Sequence, residues 1–463
     1  KIWSQDDRLR VSAPDGRLTP ELRDEIARHK AAILEFLKGA RDASDAPLPP
    51  LQRVARDGAL LPLSFAQQRL WFLDQMLPES GLYNLPMAVR IRGPLEIDVL
   101  QRCLEKLVAR HEILRTSFKV MRGAPVQVIG PIRSVPLPVA DLTAGDEARR
   151  EEEIRRILAE EANQPFDLAR GPLFRAGLLR LADAEHIFHL TLHHVISDGW
   201  SLNVISHELV ESYQALRKGL DDPFPELPVQ YADFAAWQRQ WMRGRTVEKL
   251  LDYWKRQLGD RLTGLTLLGD RPRPPLETNH GASFVFTLTK SLAGALRELG
   301  LRHGVTPFTV LLALFKTLLH RYTAQAEIVI GSPVAGRQRA ELEGLIGCFI
   351  NTLVLRTDLS GDPSFPEVLA RVQQTTLGAF AHQDLPFESL VEHLRPERDM
   401  SRNPLFQIMF ILQNTPVTAT ELPELRFETL HLETALSKFD LTLTMTEHAE
   451  GIWCVIEYNA DLF

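Results

Sequence analysis

The sequence is poor in cysteine, has no excess of positive charge and contains no long apolar run, and each shortage excludes a class of protein. Its 463 residues include three cysteines, Cys103, Cys348 and Cys454, which lie far apart without the spacing of metal ligands. We therefore expect buried thiols in a reducing compartment rather than a disulfide framework. The net charge of −7 lacks the basic excess of a protein that binds nucleic acid. With no apolar run of membrane-spanning length and no visible signal peptide, we expect a cytoplasmic protein that does not bind a membrane.

The chain has the composition and length of a globular protein with more than one domain. Hydrophobic residues make up 44% and charged residues 24% of it. Residues 1–40 contain two short strand-like runs and a helix that Thr19 can cap, whereas residues 41–60 are rich in Pro, Ala and Asp and predict a linker. From residue 61 onward, short β-runs alternate with helical runs, which is typical of an α/β (α+β) fold.

Two adjacent histidines end an apolar run in the first half of the chain. We predict a strand over residues 187–194, in which His193 and His194 point to opposite faces. Asp198 and Gly199 then form a tight turn before a helical run. A strand that ends in such a turn can aim an imidazole at a bound molecule, although a satisfied polar cluster is an alternative interpretation. We expect no metal site, because the two rings diverge and no third ligand cluster stands out.

Seven unusual segments occur in a fixed order along the chain. They are SFAQQRLWFL (64–73), RHEILRTSF (110–118), HHVISDGWS (193–201), YADFAAW (231–237), IGCFINT (346–352), HQDLPFE (382–388) and RDMSRNPL (398–405). This series resembles the motif set of condensation domains from nonribosomal peptide synthetases, over roughly residues 61–463. Residues 1–40 resemble, less specifically, an N-terminal docking domain of such synthetases. A helix precedes the first strand in that family, so we expect this docking segment to be incomplete at its N-terminus.

The resemblance implies a fold and an activity. The fold is a V-shaped pseudo-dimer of two chloramphenicol-acetyltransferase-like lobes, which we place at residues 61–235 and 236–463, with a tunnel between them. The small αβ docking segment precedes the lobes. The implied enzyme is an acyltransferase that forms an amide, by attack of the α-amine of an acceptor aminoacyl thioester on a donor acyl or peptidyl thioester. Both substrates would arrive on 4′-phosphopantetheine arms of an upstream donor and a downstream acceptor carrier domain, with no cofactor bound covalently here. An adenylation domain would follow downstream in the full chain.

The resemblance also implies roles for individual residues. His194 matches the second motif histidine and is expected to be the catalytic imidazole that orients the amine and accepts its proton. Gly199 is expected to let the backbone approach the substrate and to donate its N–H to the developing oxyanion. His193 is expected to be structural, and Asp198 to form a buried ion pair with Arg337. Three further residues are expected to bind substrate, namely Trp200, Ser201 and Asn351, with a strand-capping role for the last as an open alternative. Four more are expected to form scaffold ion pairs, namely Arg69, Arg115, Asp233 and Arg402.

Several other interpretations stay open or fit less well. Heterocyclisation domains carry Asp in place of the histidine pair, and recruiting domains of the same fold tend to lose the pair, which this sequence retains. The run from Asp198 to Leu202 also departs from the DG-V-S-W run that is usual in epimerisation domains. The alternative enzyme is a starter condensation domain, which N-acylates the first amino acid with a fatty acyl group from acyl-CoA or an acyl carrier. The alternative without catalysis is a platform that recruits other proteins.

Overall fold

The computed structural model describes residues 2–5, 8–11, 19–28, 30, 33–34, 49–57, 60–77, 80–144, 146–221, 223–259, 264–267, 269–396, 399–413, 422, 424–430, 432 and 435–463. The helices within these ranges are α1 (Pro20–Arg28), α2 (Phe65–Met76), α3 (Ile97–Arg110), α4 (Glu147–Asn163), α5 (Gly199–Arg217), α6 (Tyr231–Trp241), α7 (Arg245–Leu258), α8 (Lys290–His303), α9 (Pro307–Thr323), α10 (Phe365–Ala381) and α11 (Phe387–Leu394). The strands are β1 (Ile2–Gln5), β2 (Arg8–Val11), β3 (Leu61–Pro62), β4 (Asn84–Arg92), β5 (Thr116–Met121), β6 (Ala124–Ile129), β7 (Val139–Asp141), β8 (Phe174–Ala182), β9 (Glu185–His193), β10 (Gly281–Thr289), β11 (Glu327–Val334), β12 (Asn351–Asp358), β13 (Ile408–Gln413), β14 (Arg426–Leu430), β15 (Leu441–His448) and β16 (Gly451–Asn459).

Two large sheets of the described residues define two lobes. The first sheet has the order β14-β4-β9-β8-β7, and the second has the order β10-β16-β15-β13-β11-β12. Both are mixed, with antiparallel hairpins and parallel pairs such as β7–β8 and β13–β15. Strand β14 comes from the second half of the chain, yet it pairs antiparallel with β4 in the sheet of the first lobe. The α/β (α+β) prediction is confirmed, and the second lobe contributes a strand to the first.

Strand β9 is buried on both faces, although one of its two alternating sets of side chains is largely polar. Phe188 and Leu190 belong to a core that also contains Ile205 of α5. On the opposite face, Ile187 packs in a second cluster with Ile154 of α4. Helices cover both sides of the sheet, so the polar residues His189, Thr191 and His193, which share the face of Ile187, are buried as well. Residue 193 is therefore held in a strand that packing fixes from both sides.

The helix α6 joins the two lobes. Trp237, near its C-terminal end, belongs to the core of the first lobe, whereas Met242, just beyond it, belongs to the core of the second. The lobe boundary that we placed between residues 235 and 236 lies inside this helix. The first core also contains Ile346 and Phe349 from the second half. The lobes thus share packed surface as well as a helix.

The N-terminal segment and linker are described in part. Strands β1 and β2 pair with each other, and the N–H of Arg23 donates to the carbonyl oxygen of Thr19 at the start of α1. The two short strand-like runs expected in this segment correspond to β1 (Ile2–Gln5) and β2 (Arg8–Val11). In the expected linker, Arg56 forms ion pairs with Glu112 and Asp233 at 2.8 Å each, which ties residues 49–57 to the first lobe. The remainder of the segment expected at 41–60 lies largely outside the described residues.

Candidate active site

The histidine pair lies at the end of β9. The strand ends at His193, and His194 begins a short 3₁₀ turn, so the predicted strand is one residue too long. The Nδ1 atom of His193 accepts a hydrogen bond from the N–H of Val195 at 3.1 Å. Burial lowers the pKa of His193 to about 3, so this ring is neutral at pH 7. The neutral ring holds the turn that presents His194.

His194 lies between the two lobes. Its backbone N–H donates to the carbonyl oxygen of Tyr83 at 2.8 Å. Its Nδ1 atom lies 3.6 Å from the Sγ atom of Cys348, which comes from the second half of the chain. Burial, together with the positive charge of Lys438, lowers the pKa of His194 to about 4. The ring is therefore neutral at pH 7 and has a nitrogen that can accept a proton.

The turn after His194 is fastened to the second lobe through Asp198. The carboxylate of Asp198 forms the expected ion pair with Arg337 at 2.8 Å, and both side chains are buried. It also accepts hydrogen bonds from the N–H groups of Phe349, at 3.0 Å, and Ser201, at 2.8 Å. Arg337 in turn donates to the carbonyl oxygen of Leu345 at 3.0 Å. We call these five residues the interlobe clasp.

A close approach at Gly347 extends this contact. The hydroxyl group of Tyr231 lies 2.8 Å from the Oγ atom of Ser64 and donates to the carbonyl oxygen of Cys348 at 2.5 Å. The buried ring of Tyr231 occupies the space that a Cβ atom on residue 347 would need. Glycine is therefore required at position 347. The close packing of Gly347 on Tyr231 and the hydrogen bond from Tyr231 to the Cys348 carbonyl oxygen hold Cys348 next to His194.

The residues expected to bind substrate lie in three different environments. The Ser201 hydroxyl is buried; it donates to Asp198 at 2.7 Å and accepts from Arg337 at 2.8 Å. Trp200 donates its indole N–H to the carbonyl oxygen of Glu343 at 2.9 Å and, in the described part of the chain, lines none of the cavities below. Both side chains thus connect the lobes, because their polar groups are occupied by the second half of the chain.

Asn351 does line the cavities, but its amide is also occupied. Its Nδ2 group donates to the carbonyl oxygens of Gln383 and Leu385 at 2.7 Å each, and its Oδ1 atom accepts from the N–H of Phe387 at 2.9 Å. This geometry is that of the strand-capping alternative. Gly199 is exposed at the first turn of α5, and a Cβ atom there would meet nothing within 4 Å.

Three of the four expected scaffold ion pairs are present. Arg69 pairs with Glu388 at 3.6 Å, and Arg402 with Asp399 at 3.5 Å, while Asp233 pairs with Arg56 as described above. The expectation for Arg115 is wrong within the described residues. Its guanidinium donates to the carbonyl oxygen of Gly130 at 2.6 Å instead of pairing with a carboxylate. A backbone acceptor lies closer because the 3₁₀ turn at Glu112–Arg115 leads directly into the β5–β6 hairpin.

Three cavities lie in a row between the lobes. The central cavity, of about 270 Å³, is lined by His194 and by residues of both lobes. The Trp237 cavity, of about 60 Å³, shares five lining residues with it, namely Ala66, Cys348, Ile350, Asn351 and Glu388. The Asn84 cavity, of about 150 Å³, shares Lys438 and Glu457 with it. His194 therefore lies in the middle cavity of the row.

Sequence reasoning missed Lys438 and Glu457. Burial lowers the pKa of Lys438 and raises that of Glu457. The available signal was weak: Lys438 precedes an alternating strand, and Glu457 interrupts another one. Only the packing of β15 and β16 against the first lobe brings these charges into a cavity with His194.

Two features are absent among the described residues, namely a metal-ligand cluster and a membrane-spanning helix. No group of three or more His, Cys, Asp or Glu side chains among them is arranged to hold a metal ion. Within the same residues, no helix combines the length and apolar character needed to cross a membrane. The three cysteines are buried and form no disulfide bonds with one another, and Cys348 contacts His194 in addition to packing.

The fold and site define a class of protein before any comparison. A neutral imidazole that lines a cavity between two lobes can take a proton from a nucleophile bound there, which is the chemistry of a group-transfer enzyme. Residues 59–463 match the family model of the condensation domain, and residues 1–39 match that of the TubC N-terminal docking domain. This chain belongs to the condensation-domain family of nonribosomal peptide synthetases, whose members are acyltransferases that form amide bonds.

Individual relatives support this assignment. The chain is 48% identical to a linear gramicidin synthase from Brevibacillus parabrevis over 93% of its own length, which spans 6% of that relative. It is 31% identical to the X-domain from teicoplanin biosynthesis, with a TM-score of 0.81 over 90% of this chain and 93% of that one. The first condensation domain of the calcium-dependent antibiotic synthetase, in complex with a substrate analogue, has the same fold at 24% identity, with a TM-score of 0.74 over 88% and 92% of the two chains. The two-lobed acetyltransferase-like fold is thereby confirmed.

Proposed function

We propose that this chain condenses a donor acyl or peptidyl thioester with the α-amine of an acceptor aminoacyl thioester. Each substrate is carried on the 4′-phosphopantetheine arm of its own carrier domain. The observation that supports this most directly is the position of His194 in the central one of three interlobe cavities. Two long arms that enter from opposite sides would meet at this ring.

The roles of the site residues follow from their contacts. His194 orients the amine and accepts its proton, and the tautomer suited to this role carries its own proton on Nδ1, beside Cys348. A free α-amine has a pKa of about 7.7 to 8 and a thioester is an activated acyl group, so positioning contributes more than proton abstraction. Gly199 lines none of the three cavities, so its role as an N–H donor to the oxyanion is proposed on the family resemblance alone. His193, Asp198 and Arg337 hold the turn.

The other residues expected to bind substrate take supporting roles. Ser201 and Trp200 connect α5 to the second lobe, and Asn351 fixes the segment that leads into α11. Their hydrogen-bonding groups are occupied within the protein, so none of them is needed as a donor to substrate. This assignment replaces the direct substrate contacts that the sequence suggested.

The lining of the central cavity favours chain elongation over a starter function. Four charged side chains line it, namely Arg69, Glu388, Lys438 and Glu457. A fatty acyl chain would have to bury its methylene groups beside these charges, which loses the favourable transfer of apolar surface. We therefore assign the donor to an upstream carrier domain rather than to acyl-CoA. An adenylation domain downstream and a cytoplasmic location belong to the same proposal.

The function can be tested by offering carrier-bound and CoA-bound donors in turn. Mass spectrometry of the acceptor carrier should detect the mass of the condensed product with carrier-bound donors, and little product with acyl-CoA. His194→Ala should lower the rate by about 10²- to 10⁴-fold, the usual contribution of a general base, while the far-UV circular dichroism stays that of the wild type. Efficient acylation from acyl-CoA would favour the starter alternative. A wild-type rate from His194→Ala would remove the imidazole from the reaction.

A further inference from the structure

The junction of two cavities is formed by one lysine and one glutamate. Lys438 and Glu457 line both the central cavity and the Asn84 cavity, and no other described residue lines both. A group that lies across this junction must pass these two side chains. The junction is thus the charged part of the route toward His194.

The backbone of Lys438 is fixed by the fold. Its carbonyl oxygen accepts a hydrogen bond from Asn403 Nδ2 at 2.8 Å. On its N-terminal side, the N–H of Ser437 donates to the carbonyl oxygen of Asn279 at 2.9 Å. On its C-terminal side, the ring of Phe439 stacks on Phe406 with centroids 5.3 Å apart. The side chain therefore leaves a well-packed backbone and points between the lobes.

The amino group of Lys438 has no polar partner among the described residues. Its Nζ atom lies 5.4 Å from the centroid of the Tyr83 ring, which belongs to the first lobe. No described carboxylate is within ion-pair distance of it, and no described acceptor receives a hydrogen bond from it. A lysine carries three donors, and those of this partly buried side chain face the cavity without a partner from the described residues. A ligand with an acceptor would satisfy them.

The surrounding charges identify the kind of acceptor that suits this site. Arg69, Glu388 and Glu457 line the same cavity, and Arg69 pairs with Glu388. Burial raises the pKa of Glu457 and, more than any nearby charge, lowers that of Lys438. The cavity is lined by two basic and two acidic side chains, so it offers no excess of positive charge to hold a carboxylate. A neutral, polar acceptor such as a carbonyl oxygen requires no such excess.

We propose that Lys438 binds substrate by donating a hydrogen bond to a carbonyl oxygen of the acyl-pantetheine group in the central cavity. This inference rests on the proposed function, which brings that group into the cavity. The thioester carbonyl and the amide carbonyls of the pantetheine arm share the required chemistry. In the reaction, the amine nitrogen forms a bond to the thioester carbon while the carbonyl oxygen gains negative charge. The C–S bond then breaks, and the thiol leaves with the proton that the amine gave up.

Replacement of Lys438 by Met distinguishes the two carbonyl groups. If Lys438 contacts the thioester carbonyl, kcat should fall by about 10²- to 10³-fold at nearly constant KM, as for loss of an oxyanion donor. If it contacts an arm amide, KM should rise by about tenfold or more with kcat retained. Lys438→Arg should restore part of the loss because it keeps a cationic donor. Wild-type kcat and KM in Lys438→Met would overturn the proposal.

A second readout separates this role from a structural one. Because the positive charge of Lys438 contributes to lowering the pKa of His194, Lys438→Met should raise that pKa. Histidine-ring NMR can measure this, with His194→Ala used to assign the signal. An unchanged titration would contradict the placement of Lys438 beside the ring. If Met at this site prevents folding, Lys438→Gln provides the same comparison, with loss of charge but retention of an N–H donor.

Lys316 offers a matched control. It is a fully buried lysine in the core of the second lobe, where it donates to Leu355 O and Thr357 Oγ1 at 2.7 Å each. Lys316→Met should leave kcat, KM and the His194 titration unchanged. The wild-type reaction separates the two hypotheses: if the wild type forms the amide and Lys438→Met matches it, only the role of Lys438 fails. If the wild type forms no amide from any donor, the proposed function itself fails.

Discussion

At the scale of single residues, burial determines the chemistry of this site. His193 and His194 are both kept neutral, but for different uses, because the Nδ1 atom of one accepts from the backbone and the ring of the other faces a cavity. Asp198 has no such freedom, since its two oxygen atoms are occupied by Arg337 and two backbone N–H groups. In our proposal, the motif HHVISDGWS therefore supplies one ring for chemistry and several residues that support it.

Removal of Asp198 should destabilise the protein strongly. Asp198→Ala leaves Arg337 buried without its counter-charge, so we expect the free energy of unfolding to fall by about 3 to 5 kcal/mol. Denaturant unfolding measures this. Asp399→Ala is the control, because it removes a more exposed pair with Arg402 and should cost less than about 1 kcal/mol. Equal losses in the two variants would contradict the interlobe clasp as a stabilising contact.

The lowered pKa of His194 predicts how stability depends on pH. The unfolded ring has a pKa of about 6.5, and the folded one of about 4. Between these values the unfolded chain binds more protons, so this residue lowers the free energy of unfolding as pH falls from 6.5 to 4, by at most about 1.4 kcal/mol per pH unit. His194→Gln should lose less stability than the wild type over this window. Parallel wild-type and variant curves in urea titrations would exclude the shift.

At the scale of elements, two glycines beside the interlobe contact differ in the space around them. Gly347 faces the ring of Tyr231, whereas a Cβ atom on Gly199 would meet nothing within 4 Å. Helix α5 begins at Gly199, after an N-cap at Asp198 whose side chain accepts from the N–H of Ser201. The start of this helix is thus fixed by its cap while its first residue is open to solvent and, in our proposal, to substrate.

Alanine at these two positions should separate stability from activity. Gly347→Ala should lower the free energy of unfolding by about 1 to 3 kcal/mol, because the added methyl group overpacks a buried ring. Gly199→Ala should change it by less than about 0.5 kcal/mol and yet reduce amide formation, since the methyl group narrows the approach of substrate. Thermal unfolding and the carrier assay together test this. Full activity in Gly199→Ala would remove this glycine from the substrate path.

At the scale of the whole molecule, the two lobes are connected by a shared helix, by a strand of one lobe in the sheet of the other, and by side-chain contacts. Helix α6 runs between the two cores, β14 pairs with β4, and the interlobe clasp ties the start of α5 to the second half. The three cavities lie in the space that these connections leave open. The active site is therefore a property of the lobe interface and not of either lobe alone.

The N-terminal segment should act in pairing with another polypeptide and not in catalysis. Among the described strands, β1 and β2 pair only with each other. We expect a chain that lacks residues 1–40 to keep its thermal stability and to lose about tenfold or more in transfer from a donor carrier on a separate polypeptide, because the effective concentration of that carrier falls. With the donor carrier fused to the chain, transfer should be unchanged. Equal loss with the fused carrier would place residues 1–40 in the folding of the lobes instead.

Local sequence patterns were sufficient to predict the family, the α/β (α+β) class, the position of His194 and the pairing of Asp198 with Arg337. Seven motifs in a fixed order identified the family, and the resemblance to it implied the pairing with Arg337, which lies outside these motifs. Only packing established that Ser201, Trp200 and Asn351 form hydrogen bonds within the protein, because each has a partner that is distant in sequence, 136, 143 and 32 residues away respectively. Packing also placed Lys438 and Glu457 beside His194. Charges from distant strands enter a cavity only when two lobes come together, and no local pattern encodes that contact.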